Sequence, residues 1–341
     1  MGVIVFRADA SRLIGSGHVM RCLTLAQRLR KEQNAKVIFI MRKLSGNLID
    51  VVRKQGFAVL VLPPADEEYK LDDYGLWLTV PMEVDAQQTI EVLQHYLQEH
   101  GCDVADRLIV DSYALDEQWE QALRPYCREI MVIDDLANRR HDCDILLDQN
   151  FYLNKDVRYV GLVPEHCKML LGPDHALLRE EFYEAKKHLR KRDGNIKNIL
   201  VFYGGSDLTN ETEKAIKALV QLHDEGYNFT ADIITGVSNS RREKIEKICS
   251  KYHFFHYYCQ VSNMAEFMNK ADLMLGAGGS TTWERLYMEL PTLVTAVAEN
   301  QIQGCEDCCK AGMINYLGKA ASVTVGIINE AIKQMPLPIG D

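Results

Sequence analysis

Hydrophobic residues recur along the first half of the chain in two alternating patterns. Short apolar runs rich in valine, isoleucine and leucine are typical of strands that are buried on both faces. Between them, apolar side chains follow helical spacing, as at Val19, Leu23, Ala26 and Leu29. The predicted strands cover residues 3–7, 36–41, 58–62, 107–111 and 129–134. The predicted helices cover residues 19–30, 48–54, 85–99 and 115–123.

The same alternation restarts in the second half of the chain. Its predicted strands cover residues 199–203, 231–235, 254–258, 273–275 and 292–296. Its predicted helices cover residues 211–222, 240–251, 264–269, 281–288 and 301–311. Strands that alternate with helices pair in parallel through right-handed crossovers, so the predicted class is α/β with two Rossmann-like, doubly wound domains. We expect the domains to face each other across a cleft, with ligands at the carboxyl ends of the strands.

A basic stretch separates the two halves. The helical pattern that starts near Leu178 ends in the charged run 186–192, and Asp193-Gly194-Asn195 then breaks it. Basic residues suit the C-terminus of a helix and glycine suits its stop, so we interpret the run as a solvated helix end beside a linker. The predicted domains are therefore residues 1–192 and 193–341, with the last helix a candidate to pack back on the N-terminal domain.

Composition narrows the functional classes. A length of 341 residues suits two average domains. The net charge of −9, without an evident basic face, argues against a nucleic-acid partner. No window is long enough for a membrane span, the N-terminal residues lack a secretory leader, and the ten cysteines are scattered. We therefore expect a soluble, cytoplasmic monomer with reduced thiols.

The first candidate site is a glycine turn between the first strand and the first helix. Gly15 and Gly17 allow positive φ and the close approach of a ligand, and His18 follows at the start of the helix. The positive end of a helix disfavours the imidazolium form, which leaves a neutral ring able to accept a proton. Asp111, Tyr113 and Asp135 lie at or just after predicted strand ends, where they are candidates to orient His18 or bind sugar.

Two further glycine turns follow strands of the second half. Gly204, Gly205 and Ser206 form the first of these turns. The turn is either an anion pocket of backbone N–H groups or a plain turn ahead of a capping box between Asn210 and Glu213.

The third glycine turn contains Gly278, Gly279 and Ser280, followed by Thr281 and Glu284. Its small residues allow a diphosphate to lie against the backbone, and Glu284 is placed to accept hydrogen bonds from a ribose. The alternative is a capping box between Thr281 and Glu284. We favour the nucleotide role because the turn contains more glycine than a cap requires.

Several other site classes fit poorly. None of the three turns ends in the Lys-Ser/Thr of a P-loop, and Met20 breaks the spacing of a dinucleotide-binding fingerprint. Cys305 and Cys308 form one Cys-x-x-Cys without a second pair at zinc spacing. We therefore expect neither a metal nor a cofactor.

A set of short motifs runs in a fixed order through nearly the whole chain. They are Arg7-Ala8-Asp9, Ile14-Gly15-Ser16-Gly17-His18, Arg21-Cys22, Val110-Asp111-Ser112-Tyr113, Ile133-Asp134-Asp135, Cys143-Asp144-Ile145-Leu146-Leu147, Leu171-Gly172-Pro173, Ala176-Leu177-Leu178-Arg179-Glu180-Glu181-Phe182, Gly204-Gly205-Ser206-Asp207, Gly278-Gly279-Ser280-Thr281-Thr282-Trp283-Glu284 and Glu299-Asn300-Gln301. In this order, the motifs resemble those of the UDP-sugar hydrolases of the pseudaminic acid pathway, the PseG family, which share the GT-B fold of the MurG glycosyltransferases. A departure is His175, where that family has tyrosine.

The resemblance implies hydrolysis of UDP-2,4-diacetamido-2,4,6-trideoxy-β-L-altrose to the free sugar and UDP, with His18 as the catalytic base and UDP held mainly by the second domain. The candidate substrate-binding residues are Arg7, Asp9, Gly15, Gly17, Tyr113, Arg179, Gly204, Gly205, Ser206, Gly278, Gly279, Ser280, Thr281, Glu284, Asn300 and Gln301. The fold admits two alternatives: a GT-B glycosyltransferase that uses a UDP-sugar, and a nucleotide-sugar-binding protein without turnover.

Overall fold

The structure is a computed structural model that describes residues 2–33, 35–64 and 74–335. The chain divides into two compact units, Met1–Leu177 and Leu178–Asp341. Each unit is an α/β layer structure around one parallel sheet, as the alternating pattern predicts. Among the described residues, no helix combines the length and the apolarity that crossing a bilayer requires.

In the described part of the first unit, a sheet of seven parallel strands has the order β3-β2-β1-β4-β5-β6-β7. Its strands are β1 (Val3–Ala8), β2 (Lys36–Arg42), β3 (Ala58–Leu62), β4 (Ala105–Asp111), β5 (Cys127–Ile133), β6 (Ile145–Asp148) and β7 (Lys168–Leu171). The helices of this unit are α1 (Gly17–Gln33), α2 (Ile49–Lys54), α3 (Met82–Glu99), α4 (Glu117–Leu123) and α5 (Lys155–Arg158).

The second unit repeats this plan with a six-stranded parallel sheet in the order β10-β9-β8-β11-β12-β13. The strands are β8 (Asn198–Phe202), β9 (Thr230–Thr235), β10 (Phe255–Cys259), β11 (Leu273–Ala277), β12 (Thr292–Ala296) and β13 (Asn315–Lys319). The helices are α6 (Glu180–Lys186), α7 (Glu211–Asp224), α8 (Arg242–Cys249), α9 (Met264–Lys270), α10 (Thr281–Tyr287), α11 (Ile302–Lys310) and α12 (Val325–Lys333).

Each sheet has one point at which the strand order reverses. In the first unit it lies between β1 and β4, where Ala8 pairs with Asp111. In the second unit it lies between β8 and β11, where Phe202 pairs with Gly276. Ligands of doubly wound sheets bind outside the carboxyl ends of the strands at these switch points. All three glycine turns predicted from the sequence follow one of these strands.

The units divide at residues 177 and 178, whereas the basic run predicted a boundary at 192 and 193. Helix α6 packs on the second unit, with Phe182 fully buried beside Met264 and Met288. The basic run is only partly solvated: Lys187 and Lys191 are exposed, whereas Arg190 and Arg192 are bound. The guanidinium groups of Arg190 and Arg192 donate to carbonyl oxygens of residues 268–271, 288 and 289, at the ends of α9 and α10.

Helix α12, the predicted last helix, contributes to the core of the second unit. Its Ile328 and Ile332 are fully buried in the same core as Leu219 and Leu222 of α7. The Asn329 side-chain amide donates to Gln221 Oε1 over 2.7 Å. An apolar stripe on α12 therefore covers the sheet of its own unit.

Candidate active site

The first glycine turn is held closed by its own residues. Ser11 Oγ accepts hydrogen bonds from the backbone N–H groups of Leu13 and Ile14, and the Ser11 carbonyl accepts one from Gly15 N. Gly15 has φ of 80°. That conformation is strained for residues with a side chain, which accounts for glycine at this point. Helix α1 then begins at Gly17, so His18 lies in its first turn.

His18 forms a buried pair with Asp111 at the carboxyl end of β4. Its Nδ1 lies 2.6 Å from Asp111 Oδ1, and His18 as a whole is 7% exposed. An ionised carboxylate accepts hydrogen bonds and does not donate them, so the Nδ1 atom carries the proton. The Nε2 atom is then the basic nitrogen of the neutral ring, as a general base requires.

Arg21, one turn along α1 from His18, fixes the charge of this pair. Its Nε and Nη2 atoms donate to the two oxygens of Asp111, each over 2.6 Å, and its Nη1 donates to Asp135 Oδ2 over 3.0 Å. Burial alone would raise the pKa of Asp111, but the neighbouring charges of Arg21 and His18 outweigh it and hold that pKa well below its usual range. Asp111 is therefore ionised at neutral pH.

Aromatic rings complete the surroundings of the histidine. The Tyr113 ring meets His18 edge-on with centroids 4.6 Å apart, and its hydroxyl donates to Asp135 Oδ1 over 2.5 Å. Trp77 meets the histidine edge-on at 6.3 Å. His18, Tyr113, Trp77 and Asp9 are among the residues that line a small cavity at this point. Of the predicted substrate-binding residues, Asp9 and Tyr113 thus lie beside His18.

Arg7 differs from this prediction because its side chain is fully buried. Its guanidinium lies 2.7 Å from Asp9 Oδ2 and 2.7 Å from Asp85 Oδ2, and Arg42 Nη2 reaches the same Asp85 oxygen. Trp119 Nε1 donates to the other oxygen of Asp85 over 3.0 Å. Arg7 therefore supports Asp9 from beneath, inside an ion network, and offers no surface to a ligand.

Asp148, the last residue of β6, is a further buried acidic group close enough to Asp135 to be affected by its charge. Tyr159 donates to Asp148 Oδ2 over 3.0 Å, and Arg158 Nε lies 3.4 Å from the same oxygen. Burial and the charge of Asp135 nevertheless raise the pKa of Asp148 to about 7. Because the folded state holds this proton more tightly than the unfolded state, stability contributed by neutral Asp148 is lost as the pH rises towards 7.

We expect Asp148→Asn to remove this pH dependence. Between pH 5 and pH 8, the free energy of unfolding of the wild type should fall relative to that of the variant by on the order of 2 kcal/mol. Urea unfolding at the two pH values measures the difference. Exposed Asp156 provides the control, since Asp156→Asn should follow the wild type. Parallel pH profiles for wild type and Asp148→Asn would contradict the expectation.

The second glycine turn, after β8, lies at the switch point of the second unit. Gly204 has φ of 89°, and Gly205 is in such close contact with Gly236 that no β-carbon fits at residue 236. The predicted capping box is absent, because the Asn210 side chain makes no capping bond. Asp207 caps α7 instead, accepting from the N–H groups of Glu211 and Thr212 over 2.9 Å each. The Asp207 carboxylate thus satisfies these two N–H groups at the start of α7.

The third glycine turn, after β11, brings several predicted residues together. Gln301 lies against it, with side-chain atoms 3.4 to 3.6 Å from where β-carbons would stand on Gly278 and Gly279, and its Oε1 accepts from Val297 N over 3.0 Å. Asn300 is half-buried beside Gln301 in the sequence, and Ser280 is exposed. The turn is therefore open at Ser280 and bounded by the 300–301 segment.

Glu284 does not form the alternative capping box, since Ser280 is the N-cap of α10 and no side chain caps the helix. Glu284 Oε1 instead accepts from Arg179 Nε over 3.0 Å, and Arg179 also pairs with Glu181 over 2.5 Å. Burial raises the pKa of Glu284, and Arg179 opposes this rise. The structure thus joins two predicted substrate-binding residues that are 105 positions apart in the sequence.

The cysteines and acidic residues do not assemble into a metal centre within the described residues, where no cluster of three or more His, Cys, Asp or Glu side chains is arranged to hold an ion. Cys305 and Cys308 are buried on the inner face of α11. Neither Arg21 nor Trp77 was predicted as a site residue. Helical spacing could have identified Arg21, since it lies three residues after His18 on the same helix. No motif in the sequence marks Trp77.

The sequence is similar to those of one characterised and one uncharacterised protein. No family model matches the chain. The sequence is 26% identical over 298 residues to the UDP-2,4-diacetamido-2,4,6-trideoxy-beta-L-altropyranose hydrolase of Campylobacter jejuni, covering 87% of this chain and 93% of that protein. It is also 26% identical to an uncharacterised protein of Methanocaldococcus jannaschii, over 90% of this chain; the chain spans 58% of the length of that relative.

Among solved structures, MurG of Acinetobacter baumannii superposes with a TM-score of 0.61 at 13% identity, covering 98% of this chain and 90% of MurG. At that identity the likeness concerns the fold. The chain therefore has the GT-B fold of the MurG-like proteins, and over most of its length its sequence is similar to that of a PseG-type UDP-sugar hydrolase.

Proposed function

We propose that this chain hydrolyses a UDP-linked 2,4-diacetamido-2,4,6-trideoxy hexose to the free sugar and UDP, as a step of pseudaminic acid biosynthesis. The observation that carries the proposal is the buried His18–Asp111 pair, with Nδ1 and Oδ1 2.6 Å apart, at the switch point of the first unit. The sugar is proposed from the similarity to the Campylobacter jejuni hydrolase.

In the proposed reaction, His18 Nε2 accepts a proton from water as the water oxygen bonds to the anomeric carbon. The bond between that carbon and the β-phosphate oxygen breaks, and the electron pair leaves with UDP. Such displacements pass through an oxocarbenium-like transition state, in which a positioned base is effective. Asp111 stabilises the imidazolium that forms, and Arg21 keeps Asp111 ionised by binding both of its oxygens.

The second unit supplies the proposed UDP site. Gly204, Gly205 and Ser206 follow β8, and Gly278 to Thr281 follow β11, so both turns lie at one switch point. Exposed backbone N–H groups in such turns bind phosphate oxygens without a side chain in the way. We assign the ribose hydroxyls to the Glu284–Arg179 pair and the uracil side of the nucleotide to Asn300 and Gln301.

The decisive experiment incubates the purified protein with the UDP-sugar, EDTA and no acceptor, and follows UDP and free sugar by NMR. Wild type should release both in equal amounts. His18→Ala should release neither, with turnover lower by a factor of about 10³ or more, and should still bind UDP. His95 is 75% exposed at its side chain, so His95→Ala serves as the control that keeps full turnover.

Other results would assign the chain differently. Transfer of the sugar only after an acceptor alcohol is added identifies a glycosyltransferase. Tight binding of the UDP-sugar without turnover under either condition identifies a nucleotide-sugar-binding protein. Full hydrolysis by His18→Ala would reject the proposed base.

A further inference from the structure

A fully buried arginine lies beneath the third glycine turn and forms no ion pair with any residue that the structure describes. Arg285 projects from α10 and is 0% exposed. Its Nε and Nη1 atoms have no hydrogen-bond partner among the described residues. The acidic residue before it, Glu284, pairs with Arg179 instead. Arg285 is thus a buried positive charge that the hydrolytic scheme above does not use.

The chain makes room for this guanidinium at a defined place. Its Nη2 donates to the Ala277 carbonyl over 2.8 Å and to Thr282 Oγ1 over 2.7 Å. A β-carbon on Gly276 would stand 2.8 Å from Nη1, so glycine at residue 276 is required for the guanidinium to lie against the end of β11. The cation is consequently fixed directly behind the backbone of residues 276–278.

The groups that face Arg285 leave its charge uncompensated. Burial raises the pKa of the Cys305 thiol to about 11 and that of the Cys308 thiol to about 12, so both are neutral near pH 7. Burial also raises the pKa of Tyr203, which stays a neutral phenol. The charge of Glu284 acts on Arg285 only weakly, and Glu284 is paired with Arg179.

An unpaired buried charge is costly, and burial accordingly lowers the pKa of Arg285 to about 10. A methionine of similar length would fill the same space without that cost. Groups that reduce stability persist where they serve a ligand or a reaction. In a water-poor interior a fixed cation also acts on an anion several ångströms away more strongly than it would in water.

We propose that Arg285 is a fixed counter-charge for the diphosphate of a bound nucleoside diphosphate, acting through the backbone of the third glycine turn. This inference rests on the proposed function and deepens it. When the glycosidic bond breaks, the departing UDP gains one negative charge. The positive charge of Arg285 stabilises this negative charge electrostatically, without direct contact with the ligand. Its role is that of a positioning residue for the leaving group.

The test compares Arg285→Met, Arg285→Lys and a matched control, Arg192→Met, by calorimetric titration with UDP, uridine and pyrophosphate. Arg285→Met should lower the affinity for UDP and pyrophosphate by about tenfold or more and leave uridine unchanged. Arg285→Lys, which keeps the charge, should retain most of the UDP affinity. Arg192 binds only carbonyl groups in the described structure, so Arg192→Met should bind UDP as the wild type does.

The melting temperature of the ligand-free protein separates charge from structure. Arg285→Met should melt above the wild type, because a costly buried charge is gone, and Arg192→Met should melt below it. An Arg285→Met protein that melts lower, fails to fold, or loses uridine and UDP affinity equally would show that Arg285 only holds the turn, and would overturn the inference.

Failure of the proposed function gives a different pattern. If the wild type does not bind UDP but binds pyrophosphate in an Arg285-dependent manner, the nucleotide assignment fails and the counter-charge stands. If the wild type binds UDP and Arg285→Met binds it equally well, the counter-charge alone fails. Binding of neither ligand by the wild type rejects both.

Discussion

Replacing Asp111 by asparagine is expected to lower hydrolytic turnover by about 10³- to 10⁴-fold. Asparagine can present its amide N–H groups to His18 Nδ1, which then has to accept a hydrogen bond. The ring proton moves to Nε2, and the base is lost while the ring stays in place. The substitution also removes the charge that stabilises the imidazolium. Single-turnover measurement of UDP release, beside a UDP titration, separates this loss from a loss of binding.

A second buried histidine–carboxylate pair in the same unit provides the control. His141 Nδ1 lies 2.7 Å from Glu120 Oε1, and both side chains are buried. This pair does not line the cavity at His18. Glu120→Gln should therefore lower stability and leave turnover per folded molecule unchanged. If Asp111→Asn kept turnover within threefold of the wild type, the role assigned to Asp111 would be untenable.

The largest effect on stability is expected from Asp85→Ala, which should reduce the free energy of unfolding by about 3–5 kcal/mol. Asp85 is fully buried between Arg7 and Arg42, whose guanidinium groups both lie 2.7 Å from its Oδ2. Without the Asp85 carboxylate, the two buried guanidinium groups have only the negative charge of Asp9 near them. Trp119 Nε1 also loses its hydrogen-bond acceptor. Urea unfolding at pH 7 gives the difference directly.

The exposed pair of Asp50 and Arg53, 3.8 Å apart on α2, provides the comparison for Asp85. Asp50→Ala should leave the unfolding curve unchanged, because exposed ion pairs contribute little. A loss below about 1 kcal/mol in Asp85→Ala would mean that the network is solvated or rearranges on substitution.

The order of the longer elements was predictable because each apolar run is bounded by a turn or by an amphipathic stretch. Three strands were not predicted, namely β6, β7 and β13. β6 and β7 have four residues each, and Lys168 and Met169 of β7 are exposed, so their apolar runs are too short to distinguish a strand from a loop. Short strands of this kind are specified by the neighbour with which they pair, such as β5 for β6.

Local sequence spacing predicts where some side chains of the candidate site lie, but not which distant residues they pair with. The place of His18 at the start of α1 was predictable from its glycine turn, and Arg21 lies one helical turn after it. Arg7 was assigned to the substrate through the family resemblance, but its side chain pairs with Asp85, which lies 78 residues away in the sequence. The contact between Arg179 and Glu284 likewise joins residues that are 105 positions apart, so local spacing could not predict it. A sequence names such side chains, and only the fold decides which charges meet.

The capping boxes show a related limit. Both predicted boxes, Asn210 with Glu213 and Thr281 with Glu284, have the residue spacing of a capping box. Asn210 nevertheless has φ of 62°, and its side chain makes no capping hydrogen bond. Glu213 binds Lys244 of α8, and Glu284 binds Arg179. A hydrogen bond between a carboxylate and a cationic side chain is stronger than one between a carboxylate and a single backbone N–H group, so these glutamates pair with cations on neighbouring elements.

The hydrogen bonds of Arg190 and Arg192 also determine where the chain can be joined to a relative in a chimaera. Six carbonyl groups at the ends of α9 and α10 receive their donors from these two side chains. A chimaera joined at residue 192 would bring a foreign arginine pair, or none, to those oxygens. Recombination at residue 177 transfers donors and acceptors together, so a second unit exchanged at that junction keeps the hydrogen bonds at the ends of α9 and α10.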